Sequence, residues 1–189
     1  MDLERIVSFL SAGEVVGLPT DTVYGIAADP TSKSAVGKLF AIKGRGLGKP
    51  IGLLVGSRTE AAELVHLPPF ALEWAERHWP GPLNLVATPL VNLEIGTPDS
   101  LAVRVPAHAT TLSILSAFGP LAVTSANRSG EAESLTDLAA RELLGDEVAL
   151  YVPGDCPGGQ SSTTVDVRGA KPTLLRPGPL RLEGLDLTP

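Results

Sequence analysis

The chain has 189 residues, 43% of them hydrophobic, and a formal charge of −6 from 15 basic and 21 acidic side chains, enough for one well-buried core over residues 1–189 and too little for two ordinary domains. The single cysteine, Cys156, excludes an internal disulfide and a multi-cysteine zinc site, and His66, His78 and His108 show no metal-ligand spacing, so no metal site built by the chain is expected. Net acidity argues against a sequence-blind grip on nucleic acid, which draws on many Lys and Arg contacts to phosphate.

The N-terminal MDLERIVSFLSAGEVV mixes charges with apolar residues, so it lacks the continuous apolar run of a signal peptide. No later run reaches membrane-spanning length, and a cytoplasmic location is the expectation. Leu3, Ile6, Val7 and Leu10 have helical spacing, with Asp2 placed to cap the start and Gly13 the end. EVVGLP reads as a strand leading into a loop, GLPTDTVYGIAADP, dense in small polar groups. A helix over 32–42 puts Ala35, Val36, Leu39 and Ile42 on one face, and the glycines of KGRGLGK stop it. PIGLLVGS predicts a short buried strand. Helices over 59–65 and 69–79 follow, the second with Leu72, Ala75 and Trp79 inward and broken by WPGP.

LNLVAT and LAVRVP are strands. In the latter Leu101, Val103 and Val105 alternate with Ala102 and Arg104, so Arg104 faces away from the apolar side, a position that suits a ligand-facing cation. A helix over 111–118, a strand LAVTSAN running into a loop, a helix over 136–144 and the strands STTVDV and TLLRP complete the chain. Strands joined sometimes by helices and sometimes by turns predict an α/β domain with an open mixed sheet covered by helices. The strand order does not follow from the sequence.

Charge is unevenly spread. No acid stands between Asp29 and Glu60, yet six of the fifteen basic residues do: Lys33, Lys38, Lys43, Arg45, Lys49 and Arg58. The intervals 100–130, with Arg104 and Arg128, and 167–182, with Arg168, Lys171, Arg176 and Arg181, are also free of acids. Three such windows are able to converge on one anionic ligand; a solvated basic face is the competing reading of the first. KGRGLGKP joins three cations to three glycines, as a phosphate cradle does, without being a Walker A loop or a dinucleotide fingerprint; an exposed turn competes with it. In TSANRSG, Ser125 and Asn127 alternate beyond an apolar strand and can point to the same side. Paired carboxylates, a nucleophile elbow and a partnered cysteine are all missing from these segments. Cations and hydroxyls remain, which suit a reaction between two anions.

Taken in order, PTDTVYG, KGR followed by KP, WPGPL, AVRVP, TSANRSG, STTVD and LRPG resemble the YrdC/TsaC family, the threonylcarbamoyl-adenylate synthases, over most of the chain. The resemblance implies an open twisted α/β sheet around a positively charged central cavity, and an enzyme that turns L-threonine, bicarbonate and ATP into threonylcarbamoyl-AMP and pyrophosphate. It implies magnesium arriving with ATP, a downstream transferase that modifies the tRNA adenosine beside the anticodon, and at most weak direct contact with tRNA. By the same resemblance Lys43 and Arg45 are catalytic. Thr22, Arg104, Ser125 and Ser162 hold threonine, and Lys43, Arg45, Lys49, Asn127 and Arg176 contact ATP, with Ser100 and Ser134 or Thr136 as further nucleotide contacts. Asp21 and Tyr24 brace the threonine wall.

The chain departs from the family pattern at Gly46, where many relatives have Pro, at Leu54, where some have His, and at Asn84, where Thr is usual. The resemblance is to the short form, so the extra C-terminal domain of longer relatives is not expected. Two other functions compete: a paralogue with carbamoyl-adenylate or nucleotide hydrolase activity, and an RNA-binding or ribosome-assembly module, against which the acidity and eight aromatic residues speak.

Overall fold

The computed structural model describes residues 2–44, 51–93, 95, 97 and 99–182. Its first helix, α1 (Leu3–Ser11), starts where Asp2 accepts a hydrogen bond from the N–H of Arg5. Hydroxyl caps start three more: Ser32 on α2 (Lys33–Lys43), Ser57 on α3 (Arg58–Leu64) and Thr136 on α6 (Asp137–Leu144). Helix α2 stops at Gly44, whose φ of +61° lies in the left-handed region that glycine enters without strain. The other two helices are α4 (Pro69–His78) and α5 (Ala109–Phe118).

The strands are β1 (Val16–Leu18), β2 (Gly25–Ala28), β3 (Gly52–Leu54), β4 (Val65–His66), β5 (Leu83–Pro89), β6 (Leu101–Arg104), β7 (Leu121–Ser125), β8 (Leu150–Tyr151), β9 (Thr163–Asp166) and β10 (Thr173–Arg176). They form a mixed sheet in the order β10-β9-β5-β6-β3-β7-β2-β1-β8, with β4 on β5. The pairs β1–β8, β3–β6 and β5–β9 are parallel, and the rest are antiparallel. The expected mixed α/β architecture is therefore present.

Three details differ from expectation. The segment after Tyr24 is strand β2, not loop: all four of its residues are small or aliphatic and fully covered, so it shows no alternation to read. Of the three residues expected inward on α4, Ala75 and the capping residue Trp79 are buried, but Leu72 is 48% exposed and Ala71 and Trp74 complete the buried stripe. The two-residue strands β4 and β8 are too short to carry a period.

Alternation along the central strands divides the molecule into two faces. Leu53, Leu85, Val103 and Val165 point into the larger core, under Leu39 of α2, Ala61 of α3, Trp74 of α4 and Leu144 of α6. On the opposite face Val16, Leu18, Leu54 and Leu121 pack beneath Ile6 and Leu10 of α1 and Ile114 and Leu115 of α5. Those two helices leave the rest of that face open, and there Gly52, Asn84, Val86, Ala102, Val123 and Thr164 floor a cavity of about 580 Å³.

Candidate active site

Arg104 closes strand β6 on the cavity face, as the alternation of LAVRVP requires, and is 6% exposed. Its guanidinium is held on several sides. Nε donates to the carbonyl of Gly81 at 2.9 Å, Nη1 to Thr22 Oγ1 at 2.9 Å and to the hydroxyl of Ser162, and Nη2 to Asp21. Thr22 comes from the β1–β2 loop, where its Oγ1 also lies 2.9 Å from Thr20 Oγ1. Ser162 stands just before β9, and its carbonyl accepts from Arg176 Nε at 3.1 Å. Three segments distant in sequence thus meet at one point, and Thr22, Arg104, Ser162 and Arg176 all line the cavity.

Burial pushes the Arg104 pKa below its ordinary range, opposed by Asp21 and aided by repulsion from Arg176. Burial also lowers that of Arg176, with Glu133 acting the other way. Among the described lining residues there are two arginines and no acid. Such a hollow favours an anion, because Arg104 is already desolvated and fixed in place, while Arg176, exposed and held through Nε, adds a second cation at the lining. Other basic residues of the acid-free windows are paired elsewhere: Lys38 with Glu14, Arg58 with Glu76, Arg128 with Glu147 and Arg168 with Asp166.

Lys43, 2% exposed at the end of α2, sits behind the lining. Its Nζ donates to the carbonyls of Ser125 at 2.7 Å and Asn127 at 2.5 Å and to Asn127 Oδ1 at 2.5 Å. Ser125 Oγ donates to Asn127 Oδ1 at 2.7 Å and faces the cavity. Ser134 Oγ donates to the carbonyl of Ala126, Thr136 Oγ1 caps α6 and Ser100 Oγ pairs with Thr97 Oγ1, and none of the three lines the cavity. Arg45 and Lys49 lie outside the described residues.

Tyr24 sends its hydroxyl to the carbonyl of Val152, away from the cavity, and its pKa is pushed far up by burial. Cys156 accepts from the N–H of Thr20 at 3.3 Å, and burial raises its thiol, which suits a packing role and not a thiolate nucleophile. Sequence reasoning missed the floor residues Gly52, Val86, Ala102 and Thr164; the parity of LNLVAT, with Asn84 and Val86 opposite Leu83 and Leu85, carried the signal. It also missed two close backbone contacts. A Cβ on Gly158 would lie 2.2 Å from the carbonyl oxygen of Asp21, and one on Gly178 would lie 2.2 Å from the nitrogen of Thr163.

Residues 8–178 match the sequence profile of the Sua5/YciO/YrdC family, described as "Telomere recombination". The chain belongs to this family. A Mycobacterium tuberculosis member, assigned provisionally as a threonylcarbamoyl-AMP synthase, is 42% identical over 182 residues, covering 94% of this chain and 84% of its own. The threonylcarbamoyl-AMP synthase of Vibrio parahaemolyticus is 31% identical over 185 residues, covering 94% and 99%. Among solved structures of the family, Pyrococcus abyssi Sua5 complexed with L-threonine superposes with a TM-score of 0.89 at 32% identity, covering 93% of this chain and 54% of that one.

Proposed function

We propose that the chain is a threonylcarbamoyl-AMP synthase, a nucleotidyltransferase that makes threonylcarbamoyl-AMP and pyrophosphate from L-threonine, bicarbonate and ATP. The observation that carries this reading is the convergence of Arg104, Arg176, Thr22 and Ser162 on one cavity with no acid among its described lining residues, in a family member whose relatives over nearly its whole length bear that name. Arg104 pairs with the threonine carboxylate, and Thr22, Ser125 and Ser162 offer hydroxyls around the rest of the amino acid. The threonine amine adds to bicarbonate with loss of water. The carbamate oxygen then attacks the α-phosphorus of ATP, the bond from that phosphorus to the bridging oxygen breaks, and pyrophosphate leaves.

Arg176 and the loop that Lys43 fixes through Asn127 lie on the nucleotide side, with Arg45 and Lys49 adding charge to the phosphates. A donated contact from Ser134 to ATP requires its hydroxyl to leave the carbonyl of Ala126, whereas Thr136 accepts from the N–H of Ala139 and keeps its own O–H to donate. No three His, Cys, Asp or Glu side chains cluster among the described residues, so magnesium would enter on the triphosphate, where it supplies charge neutralisation. The product is a reactive mixed anhydride, which a transferase acting on the tRNA adenosine beside the anticodon would consume. No helix among the described residues is long and apolar enough to cross a membrane, which fits work in the cytoplasm.

The test is direct. The protein is mixed with ATP, magnesium, bicarbonate and L-threonine, and mass spectrometry looks for threonylcarbamoyl-AMP while pyrophosphate is counted. Both are expected, with serine a poorer substrate than threonine. Pyrophosphate release that ignores threonine would refute the assignment.

A further inference from the structure

Asp21 stands behind the anchor of the site. It is absent from the cavity lining, yet its Oδ1 accepts from Arg104 Nη2 and, at 3.1 Å, from the N–H of Ala107. The pair is nearly sealed from solvent, with 7% of the Arg104 side chain and 12% of the Asp21 side chain exposed. The second oxygen, Oδ2, is buried without a hydrogen-bond partner. A carboxylate that served only to tie loops together would be expected to satisfy both oxygens, because buried acceptors in folded proteins are nearly always paired. Here one oxygen serves twice and the other not at all, so the orientation of the group follows Arg104.

A guanidinium has five N–H groups in a rigid plane. Four of those on Arg104 are taken, by Gly81, Thr22, Ser162 and Asp21. The one left is on Nη2, the nitrogen that Asp21 holds. Thr22 and Ser162 hold Nη1 with neutral hydroxyls, whereas Asp21 holds Nη2 with a full charge. Without that carboxylate Nη2 loses its acceptor, the plane is held through Nε and Nη1 by neutral oxygens alone, and the buried positive charge has no counter-ion.

We propose that Asp21 is a positioning residue for Arg104: it locks the guanidinium plane so that the remaining Nη2 N–H is presented to the carboxylate of the amino-acid substrate. That identity for the substrate rests on the synthase reading; the locking of Arg104 does not.

Two measurements test it. In ligand-free protein labelled with ¹⁵N-arginine, Arg104 should give resolved, slowly exchanging Nη signals by NMR, and Asp21→Asn should collapse them to an average. In turnover assays Asp21→Asn should raise the KM for L-threonine by about tenfold or more, with the KM for ATP changed by less than about twofold. If Asp21→Asn does not fold, Asp21→Ala with and without added formate replaces it, and formate should restore the slow Nη signals. Slow Arg104 signals together with an unchanged threonine KM in the variant would overturn the proposal. So would a parallel rise of both KM values with a lower melting temperature, which marks a merely structural wall. A wild-type protein that shows no threonine-dependent turnover would sink the synthase reading, while the NMR arm would still decide whether Asp21 holds Arg104.

Discussion

The Nζ of Lys43 lies 2.5 Å from both the carbonyl oxygen and Oδ1 of Asn127, 84 residues further along the chain. The ammonium is surrounded by neutral oxygens, and through them it ties the end of α2 to the loop after β7, which also sends the N–H of Ser129 to the carbonyl of Lys43 at 3.1 Å. A buried cation placed this way organises a loop as well as supplying charge.

Lys43→Ala should therefore do two things. Threonine-dependent pyrophosphate release should fall about 100-fold, as for a displacement of about 1 Å in the loop that Lys43 positions. Stability should fall by about 1–3 kcal/mol, because buried oxygens lose a charged donor, which for a chain of this size lowers the melting temperature by about 2–4 °C per kcal/mol. Activity and melting curves on the same sample check both. Full activity would remove Lys43 from the site.

Gly178 carries a different kind of constraint. A Cβ there would stand 2.2 Å from the nitrogen of Thr163, 2.6 Å from the carbonyl carbon of Ser162 and 2.7 Å from the carbonyl oxygen of Ser161, all backbone atoms that cannot swing aside. Gly178→Ala must push the segment carrying Ser162 away from Arg104. A displacement of about 1 Å in a positioning group can cost about 100-fold in rate, so kcat/KM for threonine should drop by that order while Thr22 keeps its place. Steady-state kinetics with threonine varied is the check, and unchanged values would show that Ser162 does not act on this substrate.

Much of the frame was legible in the sequence because it rests on local rules. The cap at Asp2, the stop of α2 at its glycines and the turn of Arg104 away from the apolar side all follow from spacing and residue type. Strand β2 was not legible, since GIAA is covered on both faces and has no alternation to display. On α4 the inward turn of Ala75 and Trp79 was legible but that of Leu72 was not, because Ala71 and Trp74 complete the buried stripe in its place. Within the candidate site, Thr22, Ser125, Ser162 and the residues proposed to meet the nucleotide came from the family motifs. The pairing of Asp21 with Arg104, 83 residues away, and the contact of Gly178 with Thr163 leave no local trace, because each is set by how distant loops meet.

His108 gives a pH dependence with a definite sign. It precedes α5 with Nδ1 buried and unpartnered, and burial pushes its pKa below the ordinary 6.5, with the charge of Asp21 acting the other way. The folded chain thus binds this proton less readily than the unfolded chain does. The contribution of His108 to stability is fully present above the unfolded value and is lost as pH falls through the folded one. His108→Gln should flatten the fall in urea midpoint between about pH 7 and pH 5 that the wild type shows. Equal slopes in the two proteins would mean that other groups carry the dependence.

Gly52 is the converse of Gly178. Its strand conformation is one that any residue adopts, and a Cβ there would find its nearest atoms at 3.8 to 4.0 Å, ordinary contact distance. The fold does not require glycine at this position, yet the position lies on the cavity floor between Ala102 and Val123, so a side chain would grow into the space left for ligand. Valine suits a strand, and Gly52→Val should fold with a melting temperature at or above that of the wild type. Its activity should fall by about tenfold or more, with Gly52→Ala between the two, since an overfilled site forces the ligand or its neighbours off their preferred positions. If the valine variant folds and turns over threonine and ATP at the wild-type rate, the substrates do not rest on this part of the sheet, and the reacting groups must lie nearer Ser161, Leu175 and Arg176, which also line the cavity.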